Sequence, residues 1–468
     1  MVVKKFPLPE SYSNADKYLE ELAAVYSSSF VQTLANEVHI VEFFTKSPDL
    51  CESICPQEWL QFFDHVPLDH ALDLLIFQKI HDSLQPPESL LQFLHTISSL
   101  AMPRRVSNIS LPHATAQKIN TSALSLGMSP KKIHECERMA YAVNDLCDKA
   151  QARHVIDLGS GKGYLSRTLA QKYGLSVTAV ESVESRKSGA EKLDDLYHQK
   201  GGARKVETDR GSLSHIAKSV DSGDLSSIIE QGNLKSQPTA LVGLHACGNL
   251  SHHALRSLND TNEVCAVAVV GCCYNLMTER SLSQDKVGYP MSETVEHYNI
   301  PLPASARMLA CQAPETWTRE ARQDFFLRHF YRALLQRIYA DRNLLSDNKR
   351  PIQVGSLRKK WYTSFATYCQ GASRRVLESY SEGENNDDNP YYVSEDVAAE
   401  YLTKFAHLKN RICTLWTLTA CTVAPLAEAI IHLDRYYYLI ETGAKEVRVD
   451  VVFDQVKSTR NLMVVGIK

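Results

Sequence analysis

HVIDLGSGKG, residues 154–163, predicts a short buried strand that ends in an acid and runs directly into three alternating glycines. A glycine-rich turn between a parallel strand and a helix lets the backbone approach a nucleotide-like ligand closely. Two familiar turns of this kind do not match. A phosphate-binding P-loop needs glycine in place of Ile156 and Ser or Thr in place of Gly163, and the dinucleotide fingerprint needs glycine in place of Tyr164. What remains is the pattern D-x-G-x-G-x-G from Asp157 to Gly163, which we name the glycine turn.

The segment after the glycine turn supports a ligand site. A helix is predicted over Tyr164 to Tyr173, and the β-branched run LSVTAVES, Leu175 to Ser182, predicts a second strand. Glu181 closes this strand about twenty residues beyond the glycines, where an acid can hold the two hydroxyls of a ribose. We therefore expect Glu181 to bind the ribose of a nucleotide-like ligand.

The glycine turn with this second strand resembles the first motif of class I S-adenosylmethionine-dependent methyltransferases. The resemblance implies an α/β, Rossmann-like sheet and S-adenosyl-L-methionine as the cofactor. The run ARKVETDR predicts a short third strand that ends near Asp209, an acid able to face the adenine. The candidate cofactor-binding residues are Asp157, Gly159, Ser160, Gly161, Gly163, Glu181 and Asp209.

Composition restricts the class of protein. The chain has 468 residues, of which 44% are hydrophobic and 22% charged, so it is globular and long enough for two or three domains. A net charge of -3 gives no chain-wide nucleic-acid signature, so any basic binding surface must be local. The twelve cysteines include no CxxC pair, and the first residues lack the apolar core of a signal peptide. We expect a reduced, intracellular protein, cytoplasmic or nuclear.

One apolar stretch, LWTLTACTVAPLAEAIIHL, is nearly long enough to span a membrane. It covers residues 415–433 and is interrupted by Pro425, Glu428 and His432. Because ionisable residues are costly inside a bilayer, we expect a buried helix here and no membrane contact.

The predicted elements divide the chain into four parts. They are a helical accessory domain (1–125), a methyltransferase core with strands one to five (126–275), a mainly helical basic insertion (276–444) and a closing β-hairpin (445–468). The core begins with a helix capped by Ser129 and followed by buried parallel strands. The hairpin is predicted by two β-rich runs, EVRVDVVF and NLMVVGIK, that are joined by a short polar turn.

Polar side chains follow the fourth and fifth predicted strands, in the sequences HACGN and GCCYN. Ligands of such sheets bind beyond the carboxyl ends of the strands. His245 is a candidate base, while Asn249, Tyr274 and Asn275 offer hydrogen-bond donors and acceptors. These four are the candidate catalytic residues.

Cysteines near the same strand ends raise the question of a metal. Cys272 and Cys273 are adjacent, and Cys247 follows the fourth strand. Vicinal side chains of a strand point to opposite faces, and no CxxC or HxxxH pair is present. We therefore expect structural thiols and no metal site.

Positive charge is concentrated in residues 316–375, which contain thirteen Lys or Arg and four Asp or Glu, a balance of +9. Aromatic residues alternate with these cations, a mixture that binds phosphates and stacks bases. The same pattern is typical of amphipathic helices with aromatic cores and solvated cations, or of a surface for an acidic protein partner.

A closer resemblance rests on the segments MSPKKIHE, VIDLGSGKGYLS, LHACGNLS, VGCCYNLM and STRNLMVVGIK. Together they resemble the methyltransferase-like protein 25 family, which includes a branch labelled as containing a ribosomal-RNA adenine dimethylase domain. The paired motifs after strands four and five are also similar to a tRNA ribose-methylating family. Adenine amine methyltransferases carry an Asn/Asp-Pro-Pro-aromatic turn after the fourth strand, and HACGN stands in its place. The resemblance implies methyltransferase activity and an association with RNA.

Three functions remain open. The first is an RNA methyltransferase that docks its substrate on residues 316–375. The second is a protein methyltransferase whose helical domains form a groove for a polypeptide. The third is a cofactor-binding scaffold without activity, although the glycine turn and Glu181 are both retained, which argues against a degenerate site.

Overall fold

The computed structural model describes residues 3–46, 49–82, 84–105, 123–199, 211–220, 223–282, 287–345, 351–380 and 389–468. Contacts divide the chain into two compact units. Unit 1 consists of Met1–Tyr26, Ser99–Cys311 and Pro425–Lys468, and unit 2 consists of Ser27–Ser98 and Gln312–Ala424.

Unit 1 contains an eight-stranded sheet within the described residues. Its strands are β1 (Val3–Lys5), β2 (His154–Leu158), β3 (Ser176–Glu181), β4 (Leu213–Ala217), β5 (Thr239–Ala246), β6 (Val264–Gly271), β7 (Glu446–Val451) and β8 (Leu462–Ile467). Their spatial order is β1-β7-β8-β6-β5-β2-β3-β4, and β8 is antiparallel to both of its neighbours while all other pairs are parallel. The predicted α/β fold with a C-terminal closing hairpin is confirmed.

The third strand was predicted in a run that the structure does not describe. The run ARKVETDR, with Asp209, lies outside the described residues. The strand that pairs with the outer edge of β3 is β4, which begins three residues after that run. It is half-exposed along most of its length, so its sequence carries little of the apolar signal that marks a buried strand.

Helices of unit 1 cover the sheet. They are α1 (Ala15–Tyr26), α7 (Pro130–Ala150), α8 (Tyr164–Tyr173), α9 (Glu184–Tyr197), α10 (Ser226–Gln231), α11 (Asn249–Asp260), α12 (Glu293–His297) and α13 (Ala304–Leu309). The predicted start of α7 is confirmed, because Ser129 Oγ accepts the Lys132 N–H at 3.3 Å and Pro130 occupies the first turn. The apolar face of α7 packs Met139 and Val143 into the same core as the central strands.

The N-terminal residues do not form a separate helical domain. The short strand β1 pairs in parallel with β7, with Val3 opposite Glu446, and the following helix α1 also belongs to unit 1. All three residues of β1 are exposed, and its partner strand lies more than 400 residues away in sequence. Neither apolar periodicity nor local spacing can therefore reveal this pairing.

Unit 2 combines the remaining N-terminal helices with most of the insertion. Its helices are α2 (Ser29–Glu37), α3 (Leu50–Ile54), α4 (Gln57–His65), α5 (Leu68–Phe77), α6 (Glu88–Ser99), α14 (Arg319–Asp341), α15 (Phe365–Tyr380) and α16 (Glu395–Phe405). Ion pairs join the two sequence segments, since Arg411 Nη2 lies 2.6 Å from Asp64 Oδ2 and Arg319 pairs with Asp69. The predicted boundaries at 125 and 276 thus separate segments that pack together.

The helix α17 (Lys409–Glu441) contains the apolar stretch 415–433. The helical stretch Glu395–Glu441 has the length and composition of a membrane span, and 89% of its most apolar window is buried inside the protein. The boundary between the two units falls at Pro425, within α17. Burial among protein side chains accounts for the apolar composition of this helix.

A buried charge cluster forms around Glu428 in the second half of α17, and we name it the Glu428 network. Arg104 pairs with Glu428, Arg460 Nη1 lies 3.1 Å from Oε1, and the Tyr274 hydroxyl donates to the same oxygen at 2.8 Å. Burial alone would raise the pKa of Glu428, but the two guanidinium groups lower it to about 2. The network therefore joins the segment before residue 106, the loop after β6 and the strand β8 region to α17.

We expect Glu428→Gln to destabilise the protein, because it leaves the buried Arg460 and the half-buried Arg104 without their counter-charge. Breaking a buried pair costs about 3–5 kcal/mol. Since the pKa of Glu428 is depressed in the folded state, its contribution is present above the unfolded value and is lost as the pH falls toward about 2.

Urea unfolding at pH 7 and at lower pH measures this contribution. The exposed Glu20 of α1 provides a control, and Glu20→Gln should change the free energy of unfolding by less than about 0.5 kcal/mol. Equal stability of Glu428→Gln and the parent protein would contradict the network's role.

Removal of residues from Glu446 onward should unfold unit 1. The deletion removes β7 and β8, and so exposes the apolar edge of β6, with which β8 pairs from Ala266 to Val269. Size-exclusion chromatography and thermal unfolding measure the loss. Deletion of the exposed Lys468 alone is the control and should leave both unchanged. A soluble truncated chain with the parent's melting transition would refute the assignment.

Candidate active site

The glycine turn forms an open cradle between β2 and α8. Gly159, Gly161 and Gly163 have φ values of 67°, 58° and 67°, in the left-handed region that favours glycine. A Cβ placed on Gly161 would meet no atom within 4 Å. The turn therefore leaves free space directly against its backbone, as close binding of a ligand requires.

Glu181 lies at the end of β3 and contacts the glycine turn. It is buried, and its Oε2 accepts the Gly161 N–H at 3.0 Å while Oε1 accepts the Val183 N–H at 3.1 Å. The structure thus places Glu181, the predicted partner of the ribose, in direct contact with the glycine turn. A ribose placed over Gly161 would meet the Glu181 carboxylate.

Two further residues of the turn differ in their surroundings. Asp157 is fully buried, which raises its pKa to about 6, and its Oδ2 accepts the Ser166 hydroxyl at 2.5 Å. Asp157 therefore fixes the start of α8 against β2. Ser160 Oγ is buried without a hydrogen-bond partner, an arrangement that a bound polar ligand would relieve.

A cavity of about 400 Å³ lies beyond the carboxyl ends of the central strands. Its walls include Gly159, Val180, Lys218, Cys247 and Asn249, which follow or end four different strands. A larger cavity of about 830 Å³ in the same unit is lined by residues of the 279–302 segment and by none of the glycine turn. The smaller cavity is therefore the candidate cofactor site, because it adjoins both the turn and the end of β3.

The glycine turn beside this cavity fits S-adenosylmethionine. Gly159 lines the cavity and Gly161 has open space at its Cβ position, while Ser160 offers an unpaired hydroxyl and Glu181 a carboxylate for ribose hydroxyls. When bound, the cofactor supplies an electrophilic methyl group. The chain itself has to hold the cofactor, exclude water and orient the acceptor.

His245, the candidate base, is the penultimate residue of β5. It has a left-handed conformation with φ of 70°, which is strained for a residue with a side chain. Its Nε2 lies 3.1 Å from Oε1 of Glu135, a buried residue of α7. With Nε2–H donated to this carboxylate, Nδ1 is the nitrogen that can accept a proton.

Glu135 is a site residue that the sequence analysis did not identify. Burial alone would raise its pKa, but the bonds to His245 and Lys132 lower it to about 2, so it stays charged beside the imidazole. Its Oε1 also accepts the Ser458 hydroxyl at 2.7 Å. The sequence did contain a signal for Glu135. It lies four residues before Met139 on the apolar face of α7, and an acid on that face is buried with the apolar side chains.

The other candidate catalytic residues contact the loop after β6 or belong to it. Asn249 donates to Thr278 Oγ1 at 2.8 Å and accepts the Thr278 N–H at 3.0 Å, so its amide clamps that loop. Tyr274 is buried with its hydroxyl on Glu428, and Asn275 is exposed and accepts the Cys311 thiol at 3.4 Å. Their roles in catalysis stay predictions, and Tyr274 already has a structural partner.

Three cysteines meet at the ends of β5 and β6. The Sγ atoms of Cys247, Cys272 and Cys273 lie 3.2, 3.3 and 3.4 Å apart, and donation from Cys272 lowers the pKa of Cys247. The expectation that vicinal side chains diverge is wrong here, because β6 ends at Gly271 and the alternation of a strand does not extend beyond it. We name this group the cysteine triad.

Substitutions in the glycine turn test the cofactor site. Gly161→Arg would fill the space above the turn and Glu181→Ala would remove the ribose acceptor, so each should weaken S-adenosylmethionine binding by about tenfold or more. Isothermal titration calorimetry measures the affinity.

The chain offers matched controls for both variants. Gly443 also has a positive φ and open space at its Cβ, and Glu184 is an exposed acid three residues beyond Glu181. Gly443→Arg and Glu184→Ala should bind like the parent protein. If the site variants bind as tightly as these controls, the cofactor lies elsewhere.

Comparisons with known proteins identify a methyltransferase domain in the part of the chain that holds the glycine turn. A family model described as a methyltransferase domain matches residues 131–280, which hold α7, the glycine turn and the strand ends. The chain is 24% identical to probable methyltransferase-like protein 25 of the mouse, Mus musculus, and 26% identical to the human protein of that name, from Homo sapiens. Each alignment covers 73% of this chain and 75% of the relative.

A solved structure gives a weaker likeness. Coclaurine N-methyltransferase bound to N-methylheliamine and SAH aligns with 14% identity and a TM-score of 0.23, over 69% of this chain and 94% of that one. So low a score carries no argument. The matched methyltransferase domain, the relatives and the glycine turn on its mostly parallel sheet together lead to one assignment: the chain is a class I S-adenosylmethionine-dependent methyltransferase that is similar to the probable methyltransferase-like protein 25 of mouse and human.

Proposed function

We propose that this methyltransferase acts on RNA. The observation that carries the proposal is a basic groove on unit 2, in a chain whose net charge is -3. Local positive charge on an otherwise acidic protein is the electrostatic pattern of a nucleic-acid surface.

The groove lies between the segment before α15 and α15 itself. Its volume is about 340 Å³, and its cations are Arg358, Lys360, Arg374 and Arg375, with the exposed Lys359 beside them. Half-buried Trp361 lies along the groove, with Lys360 Nζ 4.9 Å from its ring centre. Glu378 is paired with Arg375 at 3.2 Å and lies 3.7 Å from Arg374, so five cations face one acid.

The rest of residues 316–375 offers fewer unpaired cations and fewer exposed aromatic rings for RNA than the composition suggests. Four other arginines, Arg319, Arg322, Arg328 and Arg337, lie within 4.0 Å of carboxylates of unit 2. Six aromatic residues, Phe326, Phe330, Tyr331, Tyr339, Tyr362 and Phe365, are buried and so cannot stack on bases. The candidate RNA-binding residues are therefore those of the groove around Trp361.

Methylation of a hydroxyl requires removal of its proton during the transfer. His245 lies near the carboxyl end of β5, with its Nε2 3.1 Å from Glu135 Oε1, and we propose that its Nδ1 takes that proton. This favours an acceptor such as a hydroxyl over one that needs no base. The groove would bind the phosphates of the same molecule, and the strand ends would position the reacting atom.

Charge neutralisation in the groove tests RNA binding. Replacing Arg358, Lys359, Lys360, Arg374 and Arg375 by Gln should weaken binding of a labelled single-stranded RNA. The slope of log affinity against log salt should fall by up to about 0.7 for each phosphate that the protein no longer neutralises. Fluorescence anisotropy over a salt series measures both quantities.

Two exposed lysines of unit 2 outside the groove, Lys79 and Lys404, provide the control. Lys79→Gln with Lys404→Gln should change the slope little, and cofactor affinity should be the same in all variants. Absence of RNA binding by the parent, or a slope indifferent to the five substitutions, would overturn the proposal. Methyl transfer from labelled cofactor to total protein but not to total RNA would instead identify a protein acceptor.

A further inference from the structure

We infer that the cysteine triad, Cys247, Cys272 and Cys273, binds a zinc ion at the edge of the cofactor cavity. The inference concerns a site in unit 1 and does not depend on the identity of the methyl acceptor. It rests on the geometry of the three sulfurs, on the loops that hold them and on the charge beside them.

The three sulfurs form a nearly equilateral triangle. Their separations of 3.2, 3.3 and 3.4 Å are much longer than a disulfide bond and shorter than ordinary contact between sulfur atoms. Zinc binds thiolates at about 2.3 Å, so tetrahedral coordination needs sulfurs about 3.8 Å apart. Opening the triangle by about 0.5 Å, through small side-chain rotations, reaches that geometry. A disulfide would use two of the sulfurs and leave the third without a role.

The loops that carry the cysteines are held together by the backbone. The Gly248 N–H donates to the Cys273 carbonyl at 3.2 Å, so the residue after Cys247 is bonded directly to the other loop. Gly248 has φ of 55°, and a Cβ there would meet the Leu276 carbonyl oxygen at 2.7 Å. Only glycine allows this approach without displacement, and the triad is therefore assembled before any ligand arrives.

A buried cation faces the triad region. Arg435 of α17 is 1% exposed, and its Nη1 lies 2.6 Å from the position a Cβ on Gly271 would take, directly before Cys272. Its Nε and Nη1 have no hydrogen-bond partner, and it forms no ion pair with any described residue. Three thiolates with one Zn²⁺ carry a net charge of about −1. That anion would add a negative charge beside the buried guanidinium, whose acidic neighbours Asp434 and Glu428 are not within ion-pair distance.

The site has three protein ligands and one open position. Among the described residues, no fourth His, Cys, Asp or Glu atom joins the group of three sulfurs. Catalytic zinc sites keep such a position for water or substrate, whereas structural sites close it with a fourth side chain. Cys247 lines the same cavity as Gly159, so a ligand in the fourth position would lie close to the cofactor. Zinc lowers the pKa of a nucleophile that it coordinates.

Metal content of the purified chain tests the inference. The full-length protein, freed of any histidine tag and kept reduced with a phosphine, should retain one zinc per chain by mass spectrometry of the metal. Cys247→Ser, Cys272→Ser and Cys273→Ser should each lower zinc affinity by more than the about 10–100-fold that loss of an outer-shell partner costs. Cys265→Ser is the control, because Cys265 is a half-buried thiol on β6 whose sulfur contacts backbone carbonyls.

Two further measurements do not depend on the folding of the serine variants. Cobalt added to the zinc-free parent should give the intense thiolate-to-cobalt absorption of a tetrahedral site. Zinc should also protect the three triad cysteines, and not Cys265, from alkylation. Cys311 lies near the triad and bonds to Asn275, and Cys311→Ser should keep the metal. Loss of the metal from the Cys311→Ser variant would show that four thiolates bind it, and would overturn the inference that the fourth coordination position is open.

Other results of these experiments would overturn the zinc site. A reduced parent protein that binds no zinc, or that binds it unchanged in all three serine variants, would overturn the site. A disulfide between two of the three cysteines as the stable form, found by mass spectrometry, would assign the triad to redox chemistry instead. Copper as the retained metal would refute zinc.

Discussion

The burial of the Glu428 carboxylate constrains the rest of unit 1. A charge in the interior is tolerated only with its partners, and here Arg104, Arg460 and Tyr274 come from three distant parts of the chain. The carboxylate therefore ties α17 to the loop after β6 and to the hairpin that closes the sheet. It also explains how a helix with the composition of a membrane span can carry a glutamate near its centre.

The Glu428 network also contacts the loop that carries two cysteines of the triad. The chain turns immediately after Cys273 into the short helix Tyr274–Leu276, and the hydroxyl of Tyr274 donates to Glu428. That turn leaves both vicinal cysteines near Cys247, while the Gly248 N–H joins the two loops. The aromatic residue of GCCYN thus anchors the loop that carries Cys272 and Cys273 to the buried core.

Sequence patterns predicted the parts of the fold that depend on local chemistry. The glycine turn, Glu181 and the terminal hairpin follow from spacing and β-branched runs, because each signal lies within a few residues of the element it predicts. The β1–β7 pairing, the Glu135–His245 contact and the union of two helical segments in unit 2 join residues far apart in sequence, so no single-sequence pattern reports them. The cysteine triad was missed because strand alternation was applied beyond the end of β6.

The glycine turn and the ends of β5 and β6 carry different chemical groups. The glycine turn and Glu181 offer backbone amides and a carboxylate, which suit the cofactor. The ends of β5 and β6 carry Cys247, which lines the cavity, the two cysteines in contact with it, and an imidazole paired with a buried acid, in place of the carbonyls that receive an amine in adenine methyltransferases. A hydroxyl must lose a proton when it is methylated, and a zinc ion lowers the pKa of a group that it coordinates. If the triad holds zinc and His245 accepts the proton, this edge suits an acceptor that must lose its proton during the transfer, whereas an exocyclic amine held by carbonyls loses its proton after its nitrogen has been methylated.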